Sequence, residues 1–134
     1  MRKISRKGLI KKLDTIFSEY IRKKNADKRG FVTCITSGKN YHYSEVDAGH
    51  FISRKEMSTR WHEDNVWPQS RYDNRYRYGM QYVYSLALEK KKQGLPKHLY
   101  NQSKKTIKYS ISDLKEMVEK YEKLLEIENK RLSL

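Results

Sequence analysis

Cysteine is nearly absent from this chain of 134 residues, because Cys34 is the only one. A single thiol excludes an intramolecular disulfide and a zinc site built from cysteines alone, and it fits a reducing, cytoplasmic setting best. The sequence also lacks an apolar run near the roughly 18 residues of a membrane span. The first seven residues are basic but no apolar segment follows them, so we expect neither a secretory signal nor a membrane partner.

Acidic residues are few compared with basic ones, with 16 Asp and Glu against 30 Lys and Arg and a formal net charge of +14. The imbalance is strong in residues 1–30, where eleven basic residues oppose three carboxylates. A small domain with this charge predicts a polyanionic partner, and counterion release makes binding to phosphates strong and salt-dependent. Nucleic acid is favoured, while a ribosomal protein, a membrane-surface protein or a solvated basic face stay open.

Apolar residues make up only 37% of the chain, yet it contains 11 Tyr, 3 Phe and 2 Trp. Aromatic side chains bury large areas, so a small core can form in a chain this polar. The length predicts one domain over residues 1–134.

Two apolar stripes with helical spacing predict a helix near each end of the chain. The first ends at turn residues 25–30, and Lys and Arg occupy its other faces. We interpret four of these as phosphate contacts: Arg6, Lys7, Lys11 and Lys12. The second runs from Leu114 to Leu125, with Ser112-Asp113 as its cap. It is expected to pack on the domain's own core or on a second copy.

The region between these helices predicts an α+β fold. Its expected elements are short strands at 31–35 and 41–46, irregular chain over 53–70, a helix from near Asp73 to before Gly94, and a polar loop over 95–110.

Residues 47–81 combine carboxylates, histidine and asparagine with several arginines. These side chains are the components of metal-assisted phosphodiester hydrolysis, in which a neutral imidazole takes a proton from water and oxygen ligands hold Mg²⁺ or Mn²⁺. Spacing alone is a weak indication, and a structural histidine is the alternative interpretation. Trp61, Trp67 and Pro68 are interpreted as packing residues.

Specific strings in this region carry a resemblance. Asp47 to Arg54 reads DAGHFISR, Asn65 to Gln69 reads NVWPQ, and related runs follow at Arg71–Arg75 and Gly79–Tyr82. Together they closely resemble the NinG/Rap family of lambdoid-type phage recombination proteins, from about Cys34 to Leu95. That family is similar to HNH nucleases with the ββα-metal fold and to junction resolvases of the endonuclease VII type.

The resemblance implies a role for each matching residue. His50 matches the base that activates water, and Asn65 matches the asparagine that braces the loop by backbone hydrogen bonds. Asn74 matches a metal ligand at the start of the helix. The position before the base, which often supplies another ligand, is Gly49 here. Asp47 is the nearest carboxylate and is our second candidate ligand, with a turn or capping residue as its alternative.

The implied function is a metal-dependent DNA endonuclease that acts on Holliday junctions or D-loops in the bacterial cytoplasm. Arg54, Arg71 and Arg75 are expected to neutralise neighbouring phosphates, and hydrolysis would leave a 5′-phosphate and a 3′-hydroxyl. Cutting both strands of a junction suggests a symmetric homodimer. The alternative is a DNA-binding recombination accessory protein without turnover.

Members of the family have two CxxC pairs that resemble zinc ligands, and this sequence departs from the family at both. Those positions read Cys34-Ile-Thr-Ser37 and Ser70-Arg-Tyr-Asp73 here, so one thiolate remains of four. Structural Zn²⁺ normally has four nitrogen or sulfur ligands, so we expect no structural zinc. Packing and hydrogen bonds are expected to hold this region instead, with help from tyrosines such as Tyr41, Tyr43 and Tyr72.

Overall fold

The computed structural model describes residues 4–134 as an α+β arrangement of five helices and two small sheets. The elements are α1 (Arg6–Lys24), β1 (Phe31–Thr33), β2 (Asn40–His42), β3 (Val46–His50), α2 (Met57–Arg60), β4 (Val66–Ser70), α3 (Gln81–Lys91), α4 (Leu95–Ser103) and α5 (Ile111–Arg131). Within this described part, no helix has the length and apolar composition needed to cross a membrane.

The two long helices, α1 and α5, pack against each other through the apolar stripes that the sequence predicted. Leu13 and Phe17 of α1 and Leu114 and Tyr121 of α5 are buried in one cluster. The stripe of α5 therefore covers the domain's own core, which is the first of its two expected roles.

The cap of α5 differs from the prediction by two residues. Ser110, rather than Ser112-Asp113, forms the cap: its hydroxyl accepts from Asp113 N at 3.0 Å, and the Asp113 carboxylate accepts from Ser110 N at 2.9 Å. The Ser-x-x-Asp spacing satisfies two free backbone donors at once, which favours this start of the helix.

The two sheets are antiparallel ribbons, β1 with β2 and β3 with β4. In the second ribbon Asp47 lies opposite Gln69 and His50 opposite Val66. The expectation of irregular chain over 53–70 was wrong for Val66–Ser70. Proline disfavours central strands, but the Pro68 carbonyl accepts from Ile35 N at 2.9 Å on the side away from β3. Its missing N–H is therefore not needed by the ribbon.

The chain after β4 forms helical turns before α3 begins. A π-helical turn spans Tyr72–Tyr76 and a 3₁₀ turn spans Tyr78–Met80. Three consecutive residues, 78 to 80, have positive φ angles of 53°, 74° and 51°. The helix expected to start near Asp73 is therefore interrupted, and the regular α3 begins only at Gln81.

A helix, α4, replaces the first part of the polar loop predicted over 95–110. Pro96 lies in its first turn, where the missing N–H costs nothing, so this proline starts a helix instead of ending one. Leu95 and Leu99 are buried against Tyr84 and Leu88 of α3. This burial stabilises the short helix. The polar composition of the segment gave no indication of it.

Candidate active site

A cavity of about 450 Å³ opens between α1, the β3–β4 ribbon and the π-helical turn. Five of the residues selected from the sequence line it: Asp47, His50, Arg54, Asn74 and Arg75. The structure thus brings the candidate base, both candidate ligands and two of the candidate phosphate contacts to one surface.

His50 is oriented by a hydrogen bond to the main chain. Its Nε2 lies 2.8 Å from the carbonyl oxygen of Arg60, and because a carbonyl only accepts, Nε2 must carry the proton. In the neutral imidazole, Nδ1 is then the atom that can accept a proton. Burial lowers the pKa of His50 below its ordinary value of 6.5. The ring is therefore neutral at pH 7, as a base must be.

The segment that carries the Arg60 carbonyl is held in place by the side chain of Asp14 in α1. The Arg60 guanidinium donates to both Asp14 oxygens, from Nε at 3.0 Å and from Nη2 at 2.5 Å. Arg60 Nη1 also donates to the Arg54 carbonyl at 2.9 Å, and Trp61 Nε1 donates to Asp14 at 2.9 Å. Asp14 and Arg60 were not predicted as site residues, because no local pattern in the sequence links residues 46 positions apart.

Asn65 holds the same loop by hydrogen bonds to its main chain, as the resemblance implied. Its amide oxygen accepts from Ile52 N at 2.8 Å, and its Nδ2 donates to the carbonyls of Ile52 at 3.1 Å and Thr59 at 3.0 Å. Asn65 is fully buried and does not line the cavity. It therefore fixes the main chain of this loop and does not reach the cavity.

Asp47 and Asn74, the two candidate ligands, are in direct contact. Asn74 Nδ2 donates to Asp47 Oδ2 at 2.9 Å. Arg75 donates to both oxygens of the same carboxylate, at 2.9 and 2.8 Å, while Arg71 lies 3.9 Å away and donates to the Ser44 carbonyl. Burial raises the pKa of Asp47, but the hydrogen bonds from Arg75 and Asn74 outweigh it and lower the pKa overall. Asp47 is therefore an anion at neutral pH.

The donor set at this point fits a hard divalent cation. A carboxylate and an amide oxygen suit Mg²⁺ or Mn²⁺, which usually keep several waters and share substrate phosphate oxygens. Among residues 4–134, no cluster of three or more His, Cys, Asp or Glu side chains is arranged to hold a metal. An ion here would thus depend on few protein ligands, and it would compete with Arg75 for Asp47.

Gly49 has no side chain to offer a metal, and the structure leaves no room for one at this position. A Cβ at this position would lie 2.1 Å from Gln69 Oε1. Gln69 is fully buried, and its Nε2 donates to Thr36 at 3.2 Å and to the Gly79 carbonyl at 2.8 Å. Gln69 thereby joins the β3–β4 ribbon to the 3₁₀ turn Tyr78–Met80, which follows the π-helical turn that carries Asn74.

The positions that resemble zinc ligands converge in space through hydrogen bonds. Cys34 Sγ accepts from Ser70 N at 3.1 Å and from Ser37 N at 3.3 Å, and the Thr36 hydroxyl donates to Asp73 at 2.8 Å. Burial raises the pKa of Cys34, but hydrogen bonds from the Ser37 side chain and from the Ser37 and Ser70 amides outweigh it and bring the pKa to about 7. This hydrogen-bonded group, Cys34, Thr36, Ser37, Ser70 and Asp73, is called the knuckle below. Tyr72, expected to help, is exposed instead.

The candidate phosphate contacts on α1 fall into two kinds. Lys7, Lys11 and Lys12 are exposed, and Lys12 lies 3.8 Å from Glu122. Arg6 is half-buried, and its guanidinium donates to the carbonyl of Tyr109. Arg6 thus ties α1 to the segment before α5, while the lysines face solvent.

The comparison with family models decides the family. Residues 2–131 match the model described as bacteriophage lambda NinG protein. The chain belongs to the NinG family. No curated protein and no solved structure matches it. The NinG match confirms the resemblance found in DAGHFISR and NVWPQ, and it extends beyond Cys34–Leu95 to include both terminal helices.

Proposed function

We propose that this NinG-family protein is a divalent-metal-dependent DNA endonuclease that acts on branched recombination intermediates. One observation carries the proposal: an oriented, neutral histidine and an Asp–Asn oxygen pair line the same cavity on a strongly basic domain. These are the parts that phosphodiester hydrolysis requires, a base and a place for a charge-neutralising cation.

His50 acts as the general base. With Nε2 donating to the Arg60 carbonyl, Nδ1 takes a proton from a water molecule, which then attacks the phosphorus in line with the leaving 3′-oxygen. Asn65 and Arg60 hold the loop that sets the angle of the imidazole. The products are a 5′-phosphate and a 3′-hydroxyl.

Asp47 and Asn74 are the proposed ligands of Mg²⁺ or Mn²⁺. The bound cation would offset negative charge on the reacting phosphodiester. A cation on Asp47 would weaken the hydrogen bonds that Arg75 donates to this carboxylate, and the guanidinium could then turn to a neighbouring phosphate. Arg71, which is 3.9 Å from the same carboxylate, and Arg54 at the cavity edge would neutralise further phosphates.

The order of elements supports an HNH-like assignment. An antiparallel pair of strands, β3 and β4, is followed by helical turns, with His50 on the first strand and Asn74 on the first turn. This strand–strand–helix order is that of the ββα-metal fold to which the family is similar. The π-helical turn in place of a regular helix start is a departure from that pattern.

Branched substrates carry two scissile strands, so we further propose that two copies act together in the cytoplasm of the bacterial host. The exposed lysines of α1 would add affinity for DNA without reading its sequence.

The test is cleavage of a 5′-labelled synthetic four-way junction and of a linear duplex of matching sequence, each with Mn²⁺ and with EDTA. We expect nicks near the branch point in Mn²⁺, 3′-hydroxyl ends at those nicks, and binding without cleavage in EDTA. Binding with no metal-dependent nick in any branched substrate would instead favour the accessory DNA-binding protein.

A further inference from the structure

The segment beside the candidate active site exposes an unusual number of tyrosine rings. Tyr72, Tyr76, Tyr78 and Tyr82 are 62%, 74%, 95% and 76% exposed. Large aromatic side chains normally bury much of their area, and a contiguous exposed group of them indicates a binding surface. We call these four residues the tyrosine face.

The rings of the tyrosine face are held outward by the local backbone. Tyr72 and Tyr76 lie on the π-helical turn with ring centroids 6.2 Å apart and planes tilted by 35°. Tyr78 has a left-handed backbone, φ 53°, which is unfavourable for a residue with a side chain. The turns from 72 to 80 thus present these rings to solvent instead of folding them into the core, and the rings of Tyr72 and Tyr76 lie side by side.

The surroundings of the tyrosine face are basic. Arg71, Arg75 and Arg77 alternate with its first three rings, and the Arg77 guanidinium lies 5.9 Å from the Tyr72 ring centroid. Two carboxylates lie among these arginines, Asp47, which accepts from Arg75, and Asp73, which is 7% exposed, so the three arginines keep an excess of positive charge. An anionic partner with flat rings matches this surface in both charge and shape.

The tyrosine face also adjoins the cavity directly. Asn74 and Arg75, which line the cavity, lie between Tyr72 and Tyr76 in the same turn. A strand whose backbone entered the cavity would therefore bring the neighbouring nucleotides against these rings.

We propose that the tyrosine face binds unpaired nucleobases of DNA by stacking. This inference rests on the proposed function and narrows its substrate to DNA with unstacked nucleotides next to the cleaved phosphate. Stacking on aromatic rings accepts any base, since every base has a π-face, and the interleaved arginines contact the backbone. Paired bases inside a duplex offer no free face, so the tyrosine face binds unpaired DNA in preference to paired DNA.

The test is fluorescence anisotropy of a labelled oligothymidylate of about 12 nucleotides and of a duplex, both measured in EDTA so that cleavage plays no part. The variant Tyr72→Ala/Tyr76→Ala should lose about tenfold or more in affinity for the single strand and little for the duplex. Tyr72→Phe/Tyr76→Phe should keep single-strand affinity, because the ring is retained. Tyr100→Ala removes an exposed ring on α4 and should change neither affinity.

Equal losses on single strand and duplex, or no loss on either, would overturn the proposal. A change in sedimentation mass of the alanine variant with unaltered single-strand binding would also overturn it, because the face would then be a protein interface. The affinities are measured without metal, so a protein that never cleaves can still show the single-strand effect. If the unaltered protein nicks junctions and the alanine variant binds single strands normally, the nuclease proposal stands and the stacking proposal is wrong.

Discussion

The imidazole of His50 and the main chain of Arg60 are joined by a 2.8 Å hydrogen bond from Nε2 to the carbonyl oxygen. This contact fixes which ring nitrogen carries the proton, and it leaves Nδ1 as the basic atom. Arg60 is in turn held by Asp14 of α1. The position of the candidate base therefore depends on a helix residue that lies 36 positions earlier in the sequence.

Asp14→Asn should weaken this support without touching the reacting atoms. We expect single-turnover cleavage to fall by about tenfold, with DNA affinity equal to or slightly above that of the unaltered protein, because a negative charge is removed. The Asp14 charge also raises the pKa of His50, so its loss should shift the acidic limb of the pH–rate profile to lower pH. Glu19→Gln, on the same helix but away from the cavity, is the control and should leave rate and profile unchanged.

Asn74→Ala should raise the Mn²⁺ concentration needed for half-maximal cleavage, because an oxygen ligand is removed. Asn74→Asp should keep much of the activity, since a carboxylate oxygen can replace the amide oxygen. The measurement is a Mn²⁺ titration of the cleavage rate at fixed DNA. An unchanged titration for the alanine variant would remove Asn74 from the ligand set.

The knuckle should be stable without zinc. Cys34→Ala leaves the amides of Ser37 and Ser70 without their acceptor in a buried region, and we expect a loss of about 2–3 kcal/mol in the free energy of unfolding. Cys34→Ser keeps an acceptor and should lose less. Urea denaturation of both variants gives the comparison. EDTA should not shift the midpoint of the unaltered protein. A stoichiometric zinc in elemental analysis, with melting on chelation, would show that the knuckle is a metal site.

The same hydrogen bonds to Cys34 predict a pH dependence of stability. The folded pKa of Cys34 is about 7, below its ordinary value of 9.0, so the unfolded chain binds more protons between these values. The stabilisation from the thiolate is therefore present above pH 9 and is lost as the pH falls through 7. The stability difference between the unaltered protein and Cys34→Ser should widen from pH 7 to pH 9.

Lys7, Lys11 and Lys12 should supply affinity that is blind to sequence and to branching. Changing all three to Gln should weaken binding to junction and linear duplex alike. The slope of log affinity against log salt should fall by roughly 0.9 for each phosphate that the variant no longer neutralises. Titrations at several salt concentrations measure it. A weakening confined to the junction would make α1 the element that recognises the branch point.

Helices marked by a periodic pattern and residues marked by a rare string could be predicted from the sequence, whereas contacts between distant segments could not. The stripes that include Leu13 and Leu114 predicted both terminal helices, because helical spacing is a local property. The string DAGHFISR pointed to His50 and Asp47, because a short string is also a local feature of the sequence. Pro68 and Pro96 lie in a strand and a helix that were not predicted, since proline is tolerated at a ribbon's outer side and in a helix's first turn. Asp14 carried no local signal at all.

The most direct test of the account is the pH dependence of single-turnover cleavage by the unaltered protein and by His50→Ala, at saturating protein with Mn²⁺ and a four-way junction. Burial lowers the pKa of His50, and only the neutral ring accepts a proton. The rate should therefore fall as the pH drops through an inflection below 6.5. His50→Ala should be slower by about 10² or more and should lose this inflection, with junction affinity nearly unchanged. A variant that cleaves at the original rate, or one that loses binding and cleavage equally, would contradict the assignment of His50 as the base.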